Sequence, residues 1–478
     1  MRQHSCAIWL SVLAAALLPL GYAQGGAEKS GTVPPNFVIV FVDDLGYGDL
    51  GCYGSPTIHT PHLDRMAAEG LKLTQFYSAA SVCTPSRAGI LTGRLPVRSG
   101  MWGDRRRVLF PESTGGLPAG ELTLAEAMRA EGYATACVGK WHLGDLPEFL
   151  PTEHGFDSYF GIPYSNDMNA VWPLPDGGNR FIDPKSENFR VPLLRDKEEI
   201  ERPADQTTIT RRYTEEAVRF IRASKDKPFF LYLAHSLPHV PLFRSEAFAD
   251  VSRRGLYGDV VEEIDWSVGQ ILDVVKASGI DERTVVLFTS DNGPWLVHGE
   301  QGGSSGPLRE GKGCSFEGGF RVPGIVRWPS VVPPGVTSAG IASTLDLMPT
   351  LVGLAGGELP EGLVTDGYDL SAFLRGLEPS PRDSFYYYQS KRLMAIRQGR
   401  FKAHFASQIP YVGADLIEHD PPLLYDVESD PGETRDVASE HPEVLKALLA
   451  AADAHLAHTP PAPSLLDEEL TGSPVEVK

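Results

Sequence analysis

Two pairs of residues, Asp43-Asp44 and Asp291-Asn292, stand at the ends of apolar runs, the first directly after Phe37 to Val42 and the second one residue after Thr284 to Thr289. Charge delivered at the end of a buried strand is costly unless a cation or hydrogen bonds compensate it. Three carboxylates and one amide are hard oxygen donors, suited to calcium or magnesium rather than zinc. Taken singly, each pair is also a common helix cap or turn opener; two such pairs at two strand ends favour metal. A second group is Cys83-Thr84-Pro85-Ser86-Arg87. Pro85 just inside a helical run sets Cys83 at or near a helix N-terminus, where free amides and the dipole favour an anion or activate a thiol. On these residues alone, a thiolate nucleophile and a buried structural cysteine remain open readings.

The elements that must position these groups alternate. Apolar runs at Tyr133 to Val138 and Phe229 to Ala234 read as buried strands, followed by Lys140 and His142 and by His239. Between the runs, Leu122 to Glu131, Tyr213 to Ala223 and Tyr257 to Ser278 repeat apolar residues at helical spacing. Strands alternating with helices predict an α/β fold with a large, mostly parallel sheet flanked by helices. In such sheets functional groups collect at the C-terminal ends of strands. From about residue 380 the pattern changes to short strands at Phe385 to Tyr388, Met394 to Arg397, Phe401 to Phe405 and Leu423 to Val427. A Gln398-Gly399 hairpin turn and a helix from about Pro442 to His455 complete a smaller α+β subdomain. The expected organisation is a leader at 1–23, a catalytic domain at 24–379 and this subdomain at 380–478. The stretch from Gly161 to Asp205 reads as an irregular insertion suited to substrate loops.

The extended sequence CTPSRAGILTGR, Cys83 to Arg94, resembles the signature of the type I sulfatase family, in which this cysteine is oxidised to formylglycine. DDLGYGDLGCYG from Asp43, GKWHLG from Gly139, Pro238-His239-x-Pro241, Ser290-Asp291-Asn292-Gly293, Gly311-Lys312-Gly313 and Glu317-Gly318-Gly319 are similar to the same family. The likeness is closest to its arylsulfatase A and galactosamine-6-sulfatase branch and covers about residues 36 to 435. It implies an alkaline-phosphatase-like fold and hydrolysis of sulfate esters, of aryl groups or of carbohydrates. It further implies that Asp43, Asp44, Asp291 and Asn292 bind the metal, commonly calcium with magnesium an alternative, and that the formylglycine at 83 is a further ligand. In that scheme one hydroxyl of the hydrated aldehyde attacks sulfur and the other expels sulfate. Arg87 steadies the hydroxyls and His142 is the base for elimination. Lys140 and Lys312 neutralise the sulfate oxygens, and His239 with Lys312 protonates the leaving oxygen. Ser165 hydrogen-bonds near the sulfate. A formylglycine-generating enzyme would be a transient partner. A phosphate or phosphonate ester hydrolase of the same superfamily is the alternative, and a catalytically silent binder of sulfated glycans would not keep every position filled.

The bulk properties agree with an exported enzyme. The 478 residues are 42% hydrophobic and 22% charged, ordinary globular values. Arg2 followed by the apolar run Cys6 to Leu20 and by Gly21-Tyr22-Ala23 reads as a removable export signal. The formal charge of −19 becomes more negative still once Arg2 is removed, which disfavours nucleic acid and anionic membrane as partners. Cys52, Cys83, Cys137 and Cys314 are too few for a disulfide framework in so long a chain, and the three other than Cys83 read as buried thiols. No Asn-x-Ser/Thr sequon occurs, which favours a bacterial periplasm or exterior over a lysosome. Arg105-Arg106-Arg107 could hold an anionic polysaccharide, but reads better as a solvated surface run. His235, His298 and His404 read as structural histidines, with His404 also a candidate to reach the substrate.

Overall fold

A computed structural model describes residues 34–468, apart from 112, 172, 175–178, 180 and 183; the expected leader lies outside the described residues. The strand Asn36–Val42 is buried along its whole length, and its side chains alternate between two cores. Val38, Val40 and Val42 pack into one, against the helices Ile209–Ser224 and Leu256–Ala277. Phe37, Ile39 and Phe41 pack into the other, against Leu124–Ala130, Leu347–Leu354 and the helix Cys83–Thr92. This period of two is what a strand covered by helices on both faces requires.

Among the described residues the main sheet has 11 strands. Its centre is formed by four neighbours, Thr284–Ser290, Asn36–Val42, Phe229–Ala234 and Ala134–Gly139, all mutually parallel. These are the four strands expected from the apolar runs. Beyond Ala134–Gly139 the sheet continues through Ser158–Gly161, Leu193–Arg195 and Glu198–Glu201. The segment expected to be wholly irregular thus carries two short edge strands, too short and too polar to form a recognisable apolar run. On the other side lie Arg321–Arg327 and Leu71–Tyr77, paired antiparallel. Neither was expected from the sequence. Pro323 and Gly324 interrupt the first, and Lys72, Thr74 and Gln75 the second.

The C-terminal part is a separate four-stranded antiparallel sheet of Ser384–Gln389, Arg392–Gln398, Phe401–Ser407 and Ile417–Asp426. The helix Pro442–His458 packs Leu445, Leu448 and Ala452 against Ile396, Ala403 and Leu424. Buried charge joins the two sheets. Glu317 accepts from Tyr77 (2.6 Å) in the large sheet and from Tyr387 (2.7 Å) and Lys402 (3.1 Å) in the small one. Lys402 also pairs with Glu433 at 2.9 Å, whose carboxylate lies 2.7 Å from His404 Nε2. His404 therefore belongs to this junction. No helix among the described residues is long and apolar enough to cross a membrane.

Candidate active site

Because the four central strands are parallel neighbours, their C-terminal ends lie side by side, and each hands a polar segment to the same place. Asp43 and Asp44 follow one, Asp291 and Asn292 the next, Lys140 and His142 a third, and His239 the fourth. Backbone bonds continue the ladder past the strand ends, from Asp291 N–H to the Val42 carbonyl (2.9 Å) and from Lys140 N–H to the Ala234 carbonyl (2.7 Å). Gly139 has φ +115°, and a Cβ there would sit 1.8 Å from the Ala234 oxygen, so only glycine permits this turn. Asp44 (φ +63°) and His142 (φ +61°) are also left-handed. That costs a non-glycine residue on the order of 1 kcal/mol and is tolerated where the surroundings dictate the position.

The helix Cys83–Thr92 enters over these ends with Cys83 as its first residue and Val82 as its extended N-cap. All of the expected site residues converge here. Cys83 Sγ lies 3.4 Å from Asp43 Oδ1 and 3.4 Å from Lys312 Nζ. Lys140 Nζ pairs with Asp43 and lies 3.1 Å from Ser165 Oγ. Lys312 Nζ is 2.8 Å from Asp44 Oδ2. Arg87 donates to Asp291 Oδ2 (2.9 Å) and the Lys140 carbonyl (2.8 Å), and lies 3.4 Å from Asp43. Ser165 is buried, so it is not a loop serine facing water.

The two histidines present free nitrogens. His142 Nε2 faces the Leu109 carbonyl at 2.9 Å, which makes it the N–H and leaves buried Nδ1 without a partner. His239 Nδ1 faces the Val240 carbonyl, leaving Nε2 turned to the centre, 3.6 Å from Asp44 Oδ2. Burial, reinforced by Lys140 for His142 and by Lys312 for His239, holds both well below the ordinary histidine range. Burial and the neighbouring Asp43 charge push the Asp291 carboxyl up to about 7. Burial also raises Asp44, against the pull of Lys312. At Asp43 burial is outweighed by Lys140, His239, Arg87 and Lys312, and the carboxyl lies well below its usual range. Burial and Asp43 raise the Cys83 thiol.

The oxygen donors gathered here, those of Asp43, Asp44, Asp291 and Asn292, suit a hard divalent cation. One ligand atom from each of Asp43, Asp44, Cys83 and His239 lies within 4.8 Å of the others. Asn292 Nδ2 donates to Asp44 Oδ1 (2.7 Å) and to the Gly293 carbonyl (2.9 Å). Its buried Oδ1 is left without a partner, which is the arrangement a ligating amide needs.

Sequence reasoning did not single out three groups at this centre. Asp167 is hydrogen-bonded by Ser165 and raised by burial, with Lys140 and Lys312 acting against that rise. Trp295 carries Lys312 Nζ 4.5 Å above its ring and packs 5.4 Å from His239. Tyr411 lies 5.1 Å from Trp295. Asp167 and Trp295 stand two and three residues beyond Ser165 and Asn292, so proximity to those motifs was the available signal. Tyr411 had none. His235 is structural, 3.1 Å from Ser267 Oγ, and His298 stacks edge-on against Trp295 at 4.6 Å. Cys137 and Cys314 are buried free thiols as expected, whereas Cys52 is only half-buried.

A mostly parallel sheet thus gathers acidic and basic side chains at its strand ends, a setting suited to hydrolysis of an anionic ester. The sulfatase family model matches residues 35–357, and that of the C-terminal region of aryl-sulfatase matches residues 380–475. The chain belongs to the sulfatase family and is an enzyme that hydrolyses sulfate esters. It is 44% identical to human arylsulfatase A over 448 residues, spanning 87% of this chain and 86% of that protein. It is 41% identical to dog N-acetylgalactosamine-6-sulfatase over 83% of this chain and 75% of the other. The crystal structure of PsFucS1 sulfatase from Pseudoalteromonas sp. superposes with a TM-score of 0.80 at 30% identity, covering 90% and 91% of the two chains.

Proposed function

We propose that this centre cleaves the sulfate ester of an aryl compound or a sulfated carbohydrate, with residue 83 working as formylglycine. The observation that carries the reading is the setting of Cys83 Sγ, among the carboxylates of Asp43 and Asp44 and next to Lys312. Sulfur is a poor match for a hard-cation donor set, whereas the oxygens of an aldehyde hydrate match it. Asp43, Asp44, Asp291, Asn292 and the matured residue 83 would hold calcium, or magnesium in its place. The ion supplies Lewis-acid neutralisation of the sulfate oxygens. The matured residue supplies one hydroxyl that takes the sulfuryl group as the alcohol leaves, and a second whose deprotonation expels sulfate.

The remaining groups act on charge and protons. Three carboxylates, Asp43, Asp44 and Asp291, are matched by three cations, Arg87, Lys140 and Lys312. A divalent ion leaves the centre positive and ready for an anion. Lys140 and Lys312 face the oxygens where charge accumulates, and Ser165 orients Lys140. Arg87 bridges Asp43 and Asp291 through one terminal nitrogen, and its buried, unpartnered Nε remains to steady residue 83 one helical turn away. His142 Nδ1 takes the proton in sulfate release. The neutral tautomer of His239 presents Nε2 as an acceptor, so it donates to the leaving oxygen only once Nε2 has taken a proton from water, which the charge of the bound anion favours; Lys312 donates a hydrogen bond to the same oxygen.

The apolar leader-like residues 1–23 support export, to a bacterial periplasm or the exterior, with maturation by a formylglycine-generating enzyme. The test is to assay the matured enzyme against aryl sulfates, sulfated sugars, and phosphate and phosphonate esters, before and after chelation. Sulfate-ester turnover lost on chelation and restored by calcium is expected. Turnover confined to phosphorus esters, or indifferent to metal removal, would refute the reading.

A further inference from the structure

The basic run Arg105-Arg106-Arg107 divides in the structure. Arg105 and Arg106 donate to the carbonyls of Asp467 and Glu468 and so fasten the end of the described chain. Arg107 turns elsewhere, with its guanidinium 5.5 Å over the Tyr411 ring. The side-chain oxygen of Gln389, in the orientation its neighbours favour, lies 3.1 and 3.2 Å from its terminal nitrogens. A neutral amide thus positions Arg107, and among the described residues it forms no ion pair. On a chain of formal charge −19 this half-buried guanidinium is free to meet an anion.

Arg107 stands at the outer end of a continuous path to the reacting centre. Lys312 Nζ is 3.4 Å from Cys83 Sγ and 4.5 Å from the Trp295 ring. Trp295 lies 5.1 Å from Tyr411, which Arg107 covers. Tyr411 comes from the connection between the strands Phe401–Ser407 and Ile417–Asp426 of the small sheet. Its approach depends on Gly313 beside Lys312, where a Cβ would sit 2.7 Å from Pro410 Cγ and 2.8 Å from Tyr411 Cε2. Tyr411 remains 41% exposed, and the part that Arg107 and Trp295 leave bare is within reach of a ligand. An aromatic pair with a cation at each end matches a ring with an apolar face and an anion at each end.

We propose that Trp295, Tyr411 and Arg107 form the leaving-group subsite, and that it takes a saccharide bearing a second anionic group beyond the scissile sulfate. This rests on the sulfate-ester reading of the centre and names its substrate class. The sulfate to be cleaved sits on Lys312 and Lys140, the sugar ring lies along Trp295 and Tyr411, and Arg107 receives the second sulfate or a carboxylate. A neutral aryl or steroid leaving group would use the rings and leave Arg107 unpaired.

The test compares kcat/KM for a disulfated disaccharide and its monosulfated counterpart, in the matured wild type, Arg107→Gln and Tyr411→Ala. Hydrolysis of p-nitrophenyl sulfate by the wild type separately reports whether the sulfatase reading holds. The wild type should prefer the disulfated sugar by about tenfold, the scale of one charge-assisted contact. Arg107→Gln should abolish that preference, mainly through KM, and Tyr411→Ala should raise KM for both sugars. Wild-type indifference to the second anion, or a preference that survives Arg107→Gln, would overturn the proposal.

Discussion

At residue 83 the nature of a single atom decides how the enzyme turns over. A serine there offers one hydroxyl, which accepts the sulfuryl group but has no second hydroxyl to expel it. Cys83→Ser, saturated with substrate, should therefore release about one equivalent of alcohol and stop, with the sulfated protein visible by mass. Continuous turnover by this variant would remove the need for an aldehyde. His142 acts in the second half of the cycle, through a nitrogen that the Leu109 carbonyl leaves free. His142→Asn should show a burst of alcohol release followed by a steady state slower by about a hundredfold, the usual scale of a lost general base. If chemistry of the first step slows instead, His142 is not the base for release. His142 was legible in the sequence because it stands a few positions past an apolar run, and Cys83 because the stretch Cys83 to Arg94 resembles the type I sulfatase signature. Tyr411 and Arg107 were not, since they meet only through the folding of the small sheet onto the large one.

Between elements, the junction of the two sheets is held by buried charge, not only by apolar packing. Glu317, just before the strand Arg321–Arg327, serves Tyr77, Tyr387 and Lys402 at once. Its motif Glu317-Gly318-Gly319 was recognised as part of a pattern, but its partners lie 70 to 240 residues away, a separation no local periodicity reveals. Burial alone would raise the Glu317 carboxyl, but Lys402, Arg397 and Arg321 outweigh it and hold the group well below the ordinary carboxylate range. A depressed folded-state value means stability that is present above the unfolded value, near 4.5, and is lost as pH falls below it. Glu317→Gln should destabilise the protein by about 3 kcal/mol at neutral pH, the usual cost of unpairing a buried ion. The gap in Tm between wild type and variant should narrow below pH 4.5. A gap that is constant with pH would show that the carboxylate's charge is not what joins the sheets. The central strands were legible because burial on both faces writes an unbroken apolar run. The antiparallel strands beside them were not, because polar residues and Pro323-Gly324 break theirs.

For the whole molecule, the strongly negative net charge and the positive centre oppose one another over different distances. At low ionic strength the overall field reaches far and repels an anionic substrate, while contacts within the site are little screened. Raising salt from about 0.01 to 0.15 M, which shortens the screening length from about 30 to 8 Å, should raise kcat/KM for a sulfated sugar about twofold. A steep fall would show that the local potential of the cleft governs encounter instead.

The most direct test is the mass of the tryptic peptide spanning residues 73–87, taken from enzyme that turns over sulfate esters. The expected peptide has lost the elements of hydrogen sulfide and gained one oxygen at residue 83, the signature of formylglycine. An intact cysteine at that position in fully active protein would contradict the mechanism at its centre.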